Sequence, residues 1–230
     1  MSHAFHHHVD RLINMVKWPA AAVSLLILLP GALTLKDILK VFWRSQPAGL
    51  ALLAGLCVFA LPILMRRRLP DVGFWATFEH EMTHAIFALL SLHSVHSLQA
   101  TMGEGGFIRH SGRGNWLITI SPYFFPTFPL LMGLLALTLP PSLKMLGLAG
   151  VGFAMAWHLL ATCVETHLQQ TDLREVGLLF SVCFLPGVSL LSIGFVLALA
   201  HFGSGGPAWY WDSFSRNVAT TVHLYTQWGL

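Results

Sequence analysis

His80, Glu81 and His84 fall in the run His80-Glu-Met-Thr-His84, an HExxH pattern. On a helix, residues i and i+4 lie one turn apart on the same face, so the two imidazoles can reach one metal ion. Glu81 is rotated by about 100° from His80 at 3.6 residues per turn. That offset suits it to hold a water beside the metal rather than to ligate. Zinc lowers the pKa of such a water toward about 7, and the carboxylate takes the proton as the oxygen attacks a carbonyl carbon. Chance rarely writes the pattern: thirteen His and five Glu in 230 residues give on the order of 0.016 matches.

A catalytic zinc takes three protein ligands and leaves one position open, so the third must come from elsewhere. Asp172, in Gln169-Gln-Thr-Asp172, is one candidate, and Glu165, His158 and His167 just before it are others. His158, Thr162 and Glu165 are spaced i, i+4, i+7 and share a helix face. That face serves as ligand or as the outer support that orients His80 or His84. Asp172 also reads as a helix cap before Leu173.

The elements that must position these residues belong to a bilayer. Hydrophobic residues make up 55% of the chain and charged ones 10%, far below the roughly 25% charged of a soluble domain. The net charge of +3 fits anionic headgroups and gives no sign of a nucleic-acid partner. A membrane helix needs about 20 apolar residues. Six windows qualify: Trp18 to Leu35, Ala48 to Met65, Val72 to Leu92 (with the HExxH run), Trp116 to Leu139, Leu143 to Thr162 and Val176 to His201. The expected fold is therefore all-α and polytopic, with about six transmembrane helices. Glu79, His80, Glu81 and His84 lie together inside the third window, and ionisable groups at that depth face the bundle interior for a functional reason.

Between the third and fourth windows, Val95 to Met102 partly alternates, Gly103-Glu-Gly-Gly106 offers a turn, and Phe107-Ile108 resumes the apolar pattern. This predicts a short β-hairpin after the metal-binding helix. Pro122, Pro126 and Pro129 interrupt the fourth window. Arg11 and Lys17 precede the first apolar run without a small-x-small cleavage site, which predicts an uncleaved anchor behind a surface segment. The end of the chain, with Trp209, Tyr210, Trp211, Tyr225 and Trp228, suits headgroup level. Cys57, Cys163 and Cys183 lie in apolar runs and read as unpaired packing residues. With the amino terminus inside, seven Lys and Arg fall inside and six outside, so the positive-inside rule sets no orientation.

These features resemble the site-2 protease family of intramembrane metalloproteases. The shared parts are HExxH within a span, a Gly-containing hairpin region after it, a following apolar helix, and an Asp in a polar turn after another span. They cover roughly Val72 to Leu178. The resemblance implies Zn2+ held by His80, His84 and Asp172, with Glu81 as general base. It also implies a membrane-protein substrate whose transmembrane or membrane-adjacent segment unwinds and adds as a strand to the hairpin edge near Val95 to Met102. Two positions depart from the family. Thr83 stands where Gly usually precedes the second His, and Asp172 sits in Gln-Thr-Asp-Leu rather than before Gly and after Asn-Pro. The second departure keeps Glu165 open as third ligand, and leaves Gln169, Gln170 or Thr171 to support an oxyanion.

The implied organisation is a surface segment and two spans over residues 1–71, a metalloprotease core over 72–178, and a last span with an aromatic tail over 179–230, in a bacterial cytoplasmic membrane. Two other readings exist. A di-iron histidine-box oxidase would use His6-His7-His8, His158 and His167 besides the HExxH pair. A non-enzymatic membrane protein would bind transmembrane helices without cleaving them.

Overall fold

A computed structural model describes residues 3–66, 73–101 and 105–227. Arg67, Arg68, Val72, the turn positions Met102, Gly103 and Glu104, and Trp228 lie outside the described residues. The chain is mostly helical: α1 (His3–Met15), α2 (Lys17–Leu26), α3 (Leu28–Arg44), α4 (Gln46–Arg66), α5 (Gly73–Leu90), α6 (Trp116–Ile120), α7 (Thr127–Thr138), α8 (Lys144–Glu165), α9 (Thr171–Val176), α10 (Leu178–Phe202) and α11 (Gly206–Gln227). Among the described residues the one sheet is the antiparallel pair β1 (Val95–Thr101) and β2 (Gly105–His110).

The described residues of all six apolar windows are largely helical, but fewer of the windows meet the length and composition of a span. Among the described residues, the stretches Pro141–Glu165 and Leu178–Gln227 do, and the count rises to four if two bent pairs each cross once. The pairs are Lys17–Leu26 with Leu28–Arg44, bent by 53°, and Trp116–Tyr123 with Thr127–Thr138, bent by 74°. The expected six is thus corrected to two to four on these criteria. The physical reason is plain for α5, where Glu79, His80, Glu81 and His84 break the apolar run. The second bend falls where Pro126 and Pro129 cannot continue the preceding helix. Exposed Leu50, Val58, Leu89, Leu135, Leu179 and Val182 give the bundle an apolar outer surface compatible with lipid.

Glycines bring the helices close. A Cβ on Gly55 of α4 would stand 1.8 Å from the Ala149 carbonyl oxygen of α8, and one on Gly152 would stand 2.1 Å from that of Leu52. Small residues facing each other in this way let membrane helices pack backbone to backbone. The aromatic segment is helical as far as Gln227. It forms α11, which turns back so that Tyr210 packs on Gly194 of α10, and Tyr210 is fully buried.

The register pairs Leu98 with Ile108, Gln99 with Phe107, Ala100 with Gly106 and Thr101 with Gly105. Gly105 and Gly106, expected in the turn, therefore belong to β2. Gly106 lets the strand press on α5, since a Cβ there would be 2.6 Å from Glu81 Cγ and 2.8 Å from the Gln99 carbonyl oxygen. A buried cluster under the hairpin includes Phe87, Trp116, Ile120, Leu173, Val176 and Phe180. Leu173 and Val176 dock α9 into it, which fixes where Asp172 points.

Gly152→Leu should force α4 away from α8 and cost about 1–3 kcal/mol, as overpacking typically does. Thermal unfolding in detergent measures it, and an unchanged midpoint would contradict the close crossing.

Candidate metal centre

The middle of α5 presents His80, Glu81 and His84, each buried, to the turn between α8 and α9. His80 Nε2 lies 3.1 Å and His84 Nε2 3.3 Å from Asp172 Oδ2. One donor atom from each of these three residues falls within 4.8 Å of the other two, a group that could hold a metal ion. Among the described residues no second His, Cys, Asp and Glu group gathers this closely.

The remaining ring nitrogens fix the tautomers. His80 Nδ1 is 2.6 Å from Glu165 Oε2, and His84 Nδ1 is 2.8 Å from the Ile118 carbonyl oxygen. A carboxylate and a carbonyl only accept, so each Nδ1 carries the proton and donates. With a metal ion among them each ring is neutral and turns an Nε2 lone pair to the ion; with a proton there instead, each ring donates from Nε2 to the Asp172 carboxylate. Two rings held from behind at Nδ1 by acceptors, with both Nε2 atoms turned to one carboxylate oxygen, have the arrangement of metal-ligating histidines.

Asp172 is the second residue of α9, whose N-terminus has no side-chain cap. Its carboxylate turns to the histidines and also accepts from the Tyr123 hydroxyl at 3.2 Å, which corrects the reading as a helix cap. Burial alone would raise its pKa, but hydrogen bonds and charge from His80 and His84 in their protonated form outweigh burial and hold it well below the ordinary carboxylate range. Glu165, the last residue of α8, meets the other side of His80 and is not in the three-residue group.

His158 points elsewhere. Its Nδ1 is 3.2 Å from Glu79 Oε1, and the same carboxylate accepts from the Phe128 amide and the Trp157 indole, each at 3.1 Å. Glu79 thus ties α5 to the start of α7 and to α8. Thr83 donates to the Glu79 carbonyl at 2.7 Å and meets Thr127 Oγ1 at 2.5 Å. His167 is exposed and lines the cleft over the centre, as do Gln170 and Thr171; Gln169 does not.

That cleft has a volume of about 650 Å³. Glu81 lines it beside the histidines, and Gly105, Gly106, Phe107 and Ile108 of β2 form its opposite wall. The strand facing the cleft is therefore β2, not the Val95 to Met102 strand that the sequence pointed to. Tyr123 and the Ile118 carbonyl carried no sequence signal. The bend at Pro122 and Pro126 brings the first to Asp172, and a backbone oxygen is silent in any motif. Comparison with family models, curated proteins and solved structures finds no match to this chain.

Asp172→Ala should abolish tight metal binding, whereas Glu165→Gln should weaken it by about 10–100-fold, as loss of an outer support does. Equilibrium zinc titration of the purified protein measures both. The opposite order would make Glu165 the ligand.

Proposed function

We propose that the chain is a multi-pass membrane zinc metalloprotease that hydrolyses peptide bonds in or next to transmembrane segments of other membrane proteins. The observation that carries this reading is the spacing of the donor atoms. Tetrahedral zinc with bonds of about 2.0–2.1 Å has ligand–ligand edges of about 3.3 Å. The separations of 3.1 and 3.3 Å from Asp172 Oδ2 to the two Nε2 atoms fit those edges. Two neutral imidazoles and one ionised carboxylate also form a donor set that zinc favours, with a fourth position open to the cleft.

Bound there, zinc would supply Lewis acidity toward a peptide carbonyl and acidify a water toward a pKa of about 7. The chain's own groups do the rest. Glu81 holds the attacking water from the cleft side, accepts its proton and returns it to the departing amine. Glu165 and the Ile118 carbonyl keep the two rings aimed. The free edge of β2 takes an unwound substrate segment by strand addition, which presents its carbonyls in extended form. Bilayer lipid surrounds the bundle. The di-iron alternative needs a second histidine group, and His158 is engaged with Glu79 instead.

Glu81→Gln should retain zinc and lower cleavage of a transmembrane reporter in nanodiscs by at least about 10²-fold. Cleavage at the wild-type rate would remove Glu81 as the base. Binding of the reporter without cleavage by wild type and variant alike would mark a non-enzymatic protein.

A further inference from the structure

A second buried polar cluster lies outside the centre, where α1 crosses the base of the hairpin. Asp10 of α1 is buried, and so are His93, just after α5, and Asn115, just before α6. Asp10 Oδ1 accepts from His93 Nε2 at 2.8 Å and from Asn115 Nδ2 at 2.9 Å. His93 Nδ1 donates in turn to the Ser111 carbonyl. Gly112, in a left-handed conformation at φ +78°, lets the chain pass the ring, since a Cβ there would sit 2.9 Å from His93 Cε1.

Asn115 does two things at once. While its amide donates to Asp10, its Oδ1 caps α6 by accepting from the amides of Leu117 at 3.2 Å and Ile118 at 3.3 Å. Ile118 then offers its carbonyl to His84 Nδ1 at 2.8 Å. The first turn of α6 is held by α1 at two further points. The Trp116 amide donates to Asn14 Oδ1 at 3.2 Å, and the Trp116 indole donates to the Ile13 carbonyl at 2.7 Å. A continuous chain of hydrogen bonds therefore runs from Asp10 through Asn115 and the cap of α6 to the carbonyl that orients a metal-ligating histidine.

We propose that Asp10 is a positioning residue for the metal centre, acting through Asn115 and the Ile118 carbonyl to hold the His84 ring. α1 is so short and so exposed along Leu12 and Met15 that it could have been a passive surface helix. Its one carboxylate instead reaches inward to the element that sets the His84 tautomer and aim. The proposal rests on the reading of His80, His84 and Asp172 as a metal centre.

The test is cobalt titration of the full-length protein in detergent, read as affinity and as the visible ligand-field bands, which report ligand geometry rather than helix stability. Asp10→Leu removes the acceptor. Asn115→Asp keeps the cap acceptor but sets a carboxylate against Asp10. Each should weaken cobalt binding by about tenfold, as outer-shell losses do, and shift the bands. Combining Asp10→Asn with Asn115→Asp rebuilds the bond with donor and acceptor exchanged, and should return both readouts toward wild type. Wild-type affinity and bands in the single variants would overturn the proposal, even with a lowered unfolding midpoint. A combined variant as impaired as the single ones would also overturn it. If wild type itself binds no cobalt or zinc, the metal-centre reading fails, which is a separate outcome.

Discussion

Burying four ionisable side chains in one apolar helix is the constraint around which the rest of this bundle is arranged. Glu79, His80, Glu81 and His84 are all buried in α5, where an unpaired polar group costs several kcal/mol. Each neighbouring element supplies a partner. The start of α7 and the Trp157–His158 pair of α8 satisfy Glu79, Glu165 and Asp172 flank His80, and the Ile118 carbonyl meets His84. Glu81 lines the cleft beside the two histidines. Pro122, which has no N–H, leaves the Ile118 carbonyl open to His84, and Phe128 offers its amide to Glu79 because it lies in the first turn of α7.

Close packing keeps those partners in place. Gly55 and Gly152 bring α4 and α8 into backbone contact, and Gly187 of α10 sits against the Ser24 carbonyl of α2. A rigid frame matters for the site, since a donor displaced by about 1 Å loses much of its worth in catalysis or metal binding. At the cleft, Gly106 serves the same end by letting β2 lie against Glu81.

Much of this was legible in the sequence because the signals were local. The i, i+4 spacing of His80 and His84 located one face of one helix, and alternation with glycines located the hairpin. Apolar runs located every long helix except α11, whose mixed polar face hid it. Partners far along the chain were harder. Asp172, Glu165 and His158 were equal candidates by residue type, and only the docking of Leu173 and Val176 separates Asp172 from the others. The choice between β1 and β2 as cleft wall depends on which strand meets α5 through a glycine, a contact that alternation does not encode. Apolar windows overcount spans because they do not encode the bends at Ile27 and Pro126 or the polar load of α5.

The central claim is a zinc site of two imidazoles and one carboxylate, and X-ray absorption at the zinc edge on the protein in lipid nanodiscs tests it most directly. The account predicts about one zinc per chain, with the multiple scattering of two imidazoles and the remaining shell made of oxygen. Zinc with sulfur neighbours, zinc without imidazole scattering, or no zinc after loading would contradict it.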